Sequence, residues 1–310
     1  MKARGLTNGL RPFDEIDRLI RGEGYASAAA VERTTRYHQA LAGDAPLSHR
    51  VASTLLAQPG AHAALFTGFV VPEFFPTGEN DGPLGTLALA RALHRTGFSA
   101  AIHVDRELVD TVRWIGAEID CDVPILPIDE VSDAPRCDLA IAIEKPGANP
   151  AGLLHTYDGR RIESGSPPID AFFETYRERR VPTLAIADLG NEIGFGVLYD
   201  VARSILPDGD TCRCGCGEGI VSSSSVDLLL PAAVSNWGAY GLAAALALRT
   251  ERPEAALKPE EEARMLHVAA VRGCRDGVRR RGVYGVDGIA GEASVHLVRE
   301  LDALVRRELP

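Results

Sequence analysis

Acidic and amide side chains recur at one kind of place in this sequence, directly after short apolar runs. The run at 63–71 leads into PTGENDGPLG at 76–85, where Glu79, Asn80 and Asp81 are adjacent and Gly78, Gly82 and Gly85 surround them. The run at 100–104 ends in Asp105, and the run at 138–143 in Glu144 and Lys145. The run at 182–187 leads to Asp188, Asn191 and Glu192, and the run at 226–234 to Ser235 and Asn236. Clustered carboxylates raise one another's pKa, so one can donate a proton while another accepts it. Taken singly, Asp105, Asp188 and Ser235 suit helix caps, and Asn191 and Glu192 suit a polar first turn. Caps alone do not account for Glu144–Lys145 or for the tight GEND and GNE clusters.

A second group is sulfur-based. Cys212, Cys214 and Cys216 alternate in TCRCGCGEG. That spacing can turn three thiols toward a structural Zn2+ or another soft metal, with Cys121, Cys137 or Cys274 as a fourth ligand. Reduced thiols in a turn are the alternative.

The elements that must position these groups follow from periodicity. Helical spacing at 84–96, 106–115, 169–179, 193–205 and 237–248 alternates with the apolar runs and a short run at 123–128. This predicts an α/β fold, a mostly parallel sheet with helices on both faces. Parallel strand ends lie side by side, so the polar groups that follow them should converge on one cleft. Residues 1–60 are expected to form a helical lead-in without chemistry, packed on an α/β body at 61–310, one domain overall. The last sixty residues add helices at 259–273 and 293–307 around the glycine-rich GVYGVDGIAG.

Totals narrow the function. The 310 residues carry a net charge of −10, which argues against nucleic acid as a main partner. No apolar run reaches membrane-spanning length. The opening residues lack the apolar core of a secretory signal, and six cysteines do not make a disulfide scaffold in a chain this long, so a cytoplasmic location is expected. No glycine-rich nucleotide fingerprint follows the first strand. The expected partners are a small amino-acid substrate and, at most, further copies of the chain.

Several motifs together point further. ENDGPLG at 79–85, IAIEKPG at 141–147, DLGNEIGFG at 188–196 and VSNWGAYGLAAAL at 234–246 follow in order, with PPIDAFFE at 167–174 and VYGVDG at 283–288. Over about 60–300 the chain resembles the D-glutamate cyclase family, in a stand-alone form. The resemblance implies a lyase interconverting D-glutamate with 5-oxo-D-proline and water. Other readings are a lactam-forming or lactam-opening enzyme on another amino acid, and a non-catalytic amino-acid-binding protein. For the cyclase chemistry, Glu79 or Asp81 would take the amine proton and Glu192 would be the acid. Asp188 is a further acid-base candidate, and Lys145 would hold a substrate carboxylate. Glu144 would orient Lys145 or meet the ammonium, and Asn80, Asn191 and Asn236 would orient the substrate. So many carboxylates could instead hold Mg2+ or Mn2+. Trp237 and Tyr240 are expected in the core.

Overall fold

The computed structural model describes residues 3–130 and 132–309. Its centre is a six-stranded sheet of β1 (His62–Thr67), β2 (Ser99–Val104), β3 (Ile125–Pro127), β4 (Leu139–Ile143), β5 (Thr183–Ala187) and β6 (Leu228–Pro231). All neighbours pair in parallel, in the order β3-β2-β1-β4-β5-β6. The order reverses direction between β1 and β4. In doubly wound sheets, that reversal opens a crevice at the carboxyl ends of the strands. Thr67 lies opposite both Val104 and Ile143, so these ends are level.

The strands are apolar because helices cover both faces. One face carries α4 (Pro83–Arg95), α5 (Val109–Ala117) and α8 (Ser235–Thr250), with α1 (Ala3–Ile20), α3 (Leu47–Leu56), α9 (Pro259–Val271) and α10 (Gly291–Glu308) joining the same apolar cluster. The other face carries α6 (Asp170–Glu178) and α7 (Tyr199–Ile205), with Tyr37 of α2 (Ala28–Ala40) in its cluster. Helix α8 is buried from Ser235 to Ala247, as expected of a helix without a polar face. Trp237 and Tyr240 are core residues. Trp237 Nε1 donates to Ser294 Oγ, and Tyr240 and Ser294 both donate to Glu262. No helix among the described residues is long and apolar enough to cross a membrane.

Three expectations shift. The first strand stops at Thr67, not 71, because the chain turns at Gly68, where φ is +110°. The segment 193–205 becomes α-helical only at Tyr199, because Gly194 and Phe195 bridge to Ser225 before a 3-10 turn. The N-terminal helices are also more than a lead-in. Helix α2 crosses the carboxyl ends of β5 and β6, where Arg33 Nε donates to Asp188 O (3.2 Å), Tyr37 OH to Leu189 O (2.6 Å) and Thr34 Oγ1 to Ala232 O (3.3 Å).

Candidate active site

The loop after β1 and the start of α8 cap each other's helices. Asp81 accepts the backbone N–H of Ser235 (2.9 Å) and Asn236 (2.7 Å), closing the start of α8. Asn236 Oδ1 accepts the N–H of Gly82 (3.0 Å) and Gly85 (2.7 Å), closing the start of α4. Each satisfies donors that a helix start leaves open. Gly82 has to be glycine here. Its φ is +91°, and a Cβ would sit 2.7 Å from Glu144 Cβ and 2.7 Å from Thr67 Oγ1. This close approach brings the first loop against the end of β4.

Beside these helix starts lies a cavity of about 750 Å3. Of the residues singled out in the sequence, Glu79, Glu144, Asp188, Asn191 and Glu192 line it. Backbone pairing holds their loops together. Ile193 N donates to Lys145 O, Gly147 N to Asn191 O, and Asn80 N to Arg275 O. Glu144 takes a left-handed conformation (φ +47°) that non-glycine residues seldom adopt, and Ser235 Oγ donates to its Oε2 at 2.6 Å. The Glu79 carboxylate has no hydrogen-bond partner among the described residues.

The electrostatics separate these groups. Burial, followed by the charges of Asp81 and Asp188, pushes Glu79 well above the usual carboxylate range. Burial, then Glu192 and Asp188, does the same to Glu144. Burial, then Asp287 and Glu192, does so to Asp188. Burial also pushes Asp81 up to about 6, although N–H donors from Asn236, Ser235 and Gly82 oppose it. Carboxyl groups raised in this way are suited to acid–base work. Glu192 differs in that its oxygens accept the N–H of Leu189 (3.2 Å) and Gly190 (2.7 Å). Asn191 Nδ2 donates to His155 O (2.9 Å), while its buried Oδ1 has no partner.

Six expected site residues lie behind the cavity. Asp81 and Asn236 are the reciprocal caps, and Ser235 orients Glu144. Asn80 Nδ2 donates to Gly285 O (2.6 Å). Lys145 is fully buried and does not line the cavity; its Nζ donates to Gly68 O (3.2 Å) and pairs with Asp105. Asp105 also accepts from Ser166 Oγ. A lysine so enclosed is placed to hold Asp105 rather than a substrate.

Three lining residues escape a strand-end reading. Arg33 comes from α2, and Arg280 pairs with Asp158 (3.0 Å) over the Phe74 ring. They are the guanidinium groups among the described lining residues. Asp287 sits on a hairpin of β7 (Gly285–Val286) and β8 (Ile289–Ala290), and both Asp287 and Gly288 have positive φ. Asp-Gly between apolar residues is a strong hairpin signal and was the available clue. Burial, then Asp81 and Glu79, pushes Asp287 well up. Glu79 and Asp287 crowd one point: a Cβ on Gly277 would meet Glu79 Oε1 at 1.9 Å and Asp287 Oδ1 at 2.7 Å.

Among the described residues, two groups have the composition to hold a metal. Asp81, Glu144 and Asp188 each offer an oxygen, all within 4.8 Å of one another. His155, Cys212, Cys214 and Cys216 form the other set, so the residue beside the cysteine triplet is His155 rather than Cys121, Cys137 or Cys274.

Known proteins resemble the chain across this same framework. Human mitochondrial D-glutamate cyclase is 27% identical over 206 residues, covering 58% of this chain and 32% of that protein, so the chain spans about a third of its relative's length. The family described as D-glutamate cyclase-like, C-terminal, matches residues 26–302. The match starts at α2, whose Arg33 lines the cavity, and takes in the Asp287 hairpin. The chain therefore belongs to the D-glutamate cyclase-like C-terminal family.

Proposed function

We propose that the chain is a hydro-lyase that interconverts D-glutamate with 5-oxo-D-proline and water. The supporting observation is a single cavity that combines several coupled carboxyl groups of raised pKa, among them the partnerless Glu79, with two arginines. Lactam formation makes an N–C bond between the α-amine and the γ-carboxyl carbon and breaks a C–O bond there. Two protons leave the ammonium, and the departing oxygen gains two and leaves as water. Glu79 is the base at the nitrogen. Asp287, the acid beside it, protonates the leaving oxygen; two coupled carboxyls with raised pKa suit this division of labour. The acid role passes from Glu192 to Asp287 because both Glu192 oxygens hold the turn at Leu189 and Gly190. Arg33 or Arg280 binds the α-carboxylate, and Asn191 Oδ1 accepts from the ammonium.

Asp81, Glu144 and Asp188 suit Mg2+ or Mn2+ by their oxygen donors, and such an ion would polarise the γ-carboxyl as a Lewis acid. The test is incubation of folded protein, supplied with Mn2+, with 5-oxo-D-proline and with its L-isomer, assayed for free glutamate. The expected result is glutamate from the D-isomer. No glutamate from either isomer overturns the proposal.

The cavity wall favours a second reading. At about 750 Å3 the cavity is large for a glutamate, and Tyr25, Phe75, Val278 and Ile289 give it apolar surface. An amino diacid with an added apolar group would use that surface in the same lactam chemistry. Faster opening of a substituted lactam than of 5-oxo-D-proline would select it.

A further inference from the structure

Away from the carboxylates, the densest set of metal-ligating atoms lies where two loops meet. Cys212 Sγ is 2.9 Å from Cys214 Sγ and 3.2 Å from Cys216 Sγ, and His155 Nε2 is 3.3 Å from Cys214 Sγ. These separations are too long for a disulfide, whose sulfurs bond at about 2.0 Å. All four ligand atoms fall within 4.8 Å of one another. Zinc with Zn–S bonds of about 2.3 Å spaces its tetrahedral ligands by about 3.8 Å, so small movements would seat it.

The surroundings are those of a built site. His155 Nδ1 lies 3.2 Å from Leu153 O; donation there leaves the Nε2 lone pair free for a metal. Asn149 Nδ2 donates to Cys216 Sγ (3.3 Å) and Gly219 O (2.8 Å), and its Oδ1 accepts the N–H of Ala151 and Leu153 (3.1 Å each). One buried amide thus ties both ligand-bearing loops together.

We propose that His155, Cys212, Cys214 and Cys216 bind one Zn2+, and that this structural centre positions one wall of the cavity. Four protein ligands leave no open coordination position, which marks a structural rather than a catalytic zinc. The link to the cavity is direct. The His155 carbonyl accepts from Asn191 Nδ2, and Thr156 and Tyr157, the next two residues, line the cavity. Holding the His155 ring therefore also holds the peptide that orients Asn191. The zinc site stands on its own ligands and does not depend on the reaction proposed above.

The test is metal analysis of protein produced with zinc and purified without chelator. About one zinc per chain is expected. Cobalt exchanged into the site should show thiolate-to-metal charge-transfer absorption. His155→Ala should lose the metal and His155→Cys should keep it. Should the alanine variant not fold, the wild type decides. A zinc-selective chelator should raise hydrogen exchange in 148–161 and 212–222 and leave β1 and α8 unchanged. Less than about 0.1 zinc per chain, zinc retained after Cys212, Cys214 and Cys216 are all changed to serine, a disulfide within the triplet, or exchange unaltered by zinc removal would each overturn the proposal.

Discussion

Two arrangements of carboxylates lie near the carboxyl ends of the sheet and differ in what faces them. At the end of β2, Asp105 meets Lys145 Nζ and Ser166 Oγ, and the lysine also donates to Gly68 O. Around the β1–β4 crevice, Glu79, Glu144, Asp188 and Asp287 meet mainly one another, and burial and like charge push all four well up. A strand-end acid with a buried cation holds the loop in place. An acid without one has its pKa raised by burial and like charge, and is free to exchange a proton with a ligand. The difference lies in the partners, not in the residue type.

The largest effect should come from breaking the satisfied set. Lys145→Met leaves Asp105 buried and unpaired, and should cost about 3–5 kcal/mol in denaturant unfolding. Adding Asp105→Asn should restore part of that. A loss near zero would show that the pair contributes little and would erase the contrast.

The pH dependence comes next. The folded protein holds protons that the unfolded chain would release, because Asp81 moves from 3.8 to about 6 and Glu262 from 4.5 to about 7, both through burial. That stabilisation is fully present below the ordinary carboxylate values and is lost as pH rises through about 6 and then about 7. Each shift is worth up to about 3 kcal/mol at 1.36 kcal/mol per unit. Thermal unfolding across this window should therefore show stability falling, and added Mn2+ should offset the fall on its alkaline side. Stability that rises with pH would contradict the proton-holding account.

A smaller effect is expected at the reciprocal caps. Asn236→Ala removes the acceptor of two N–H groups at the start of α4 and should cost about 1–2 kcal/mol in unfolding. Activity should fall only as far as Gly82 moves against Glu144. Unchanged stability would mean that water replaces the cap.

Much of this arrangement was legible in the sequence. Apolar runs with polar ends specified the parallel sheet, and level strand ends brought Glu79, Glu144, Asp188, Asn191 and Glu192 to one cavity. Which acids would find partners was not legible, because Lys145 reaches Asp105 across β1, and strand order is a tertiary fact. Arg33, Arg280 and His155 were hidden for the same reason. Each lies on a segment with no motif of its own and gains its role by packing onto a strand-end loop. The sequence points to Asp81 as a base and to Asn236 as a substrate contact, yet their side chains stitch α4 to α8. An acid or amide next to glycine looks the same in sequence whether it caps a helix or meets a ligand.

The central claim is that the carboxylates without a buried cation do the chemistry, and Glu79→Gln tests it most directly. Replacing the acid with its neutral isostere removes a base without leaving a buried charge. Glutamate release from 5-oxo-D-proline should fall by about two orders of magnitude or more, while the melting temperature stays level or rises. Full turnover in Glu79→Gln, or the same loss accompanied by a collapse in stability, would contradict the account.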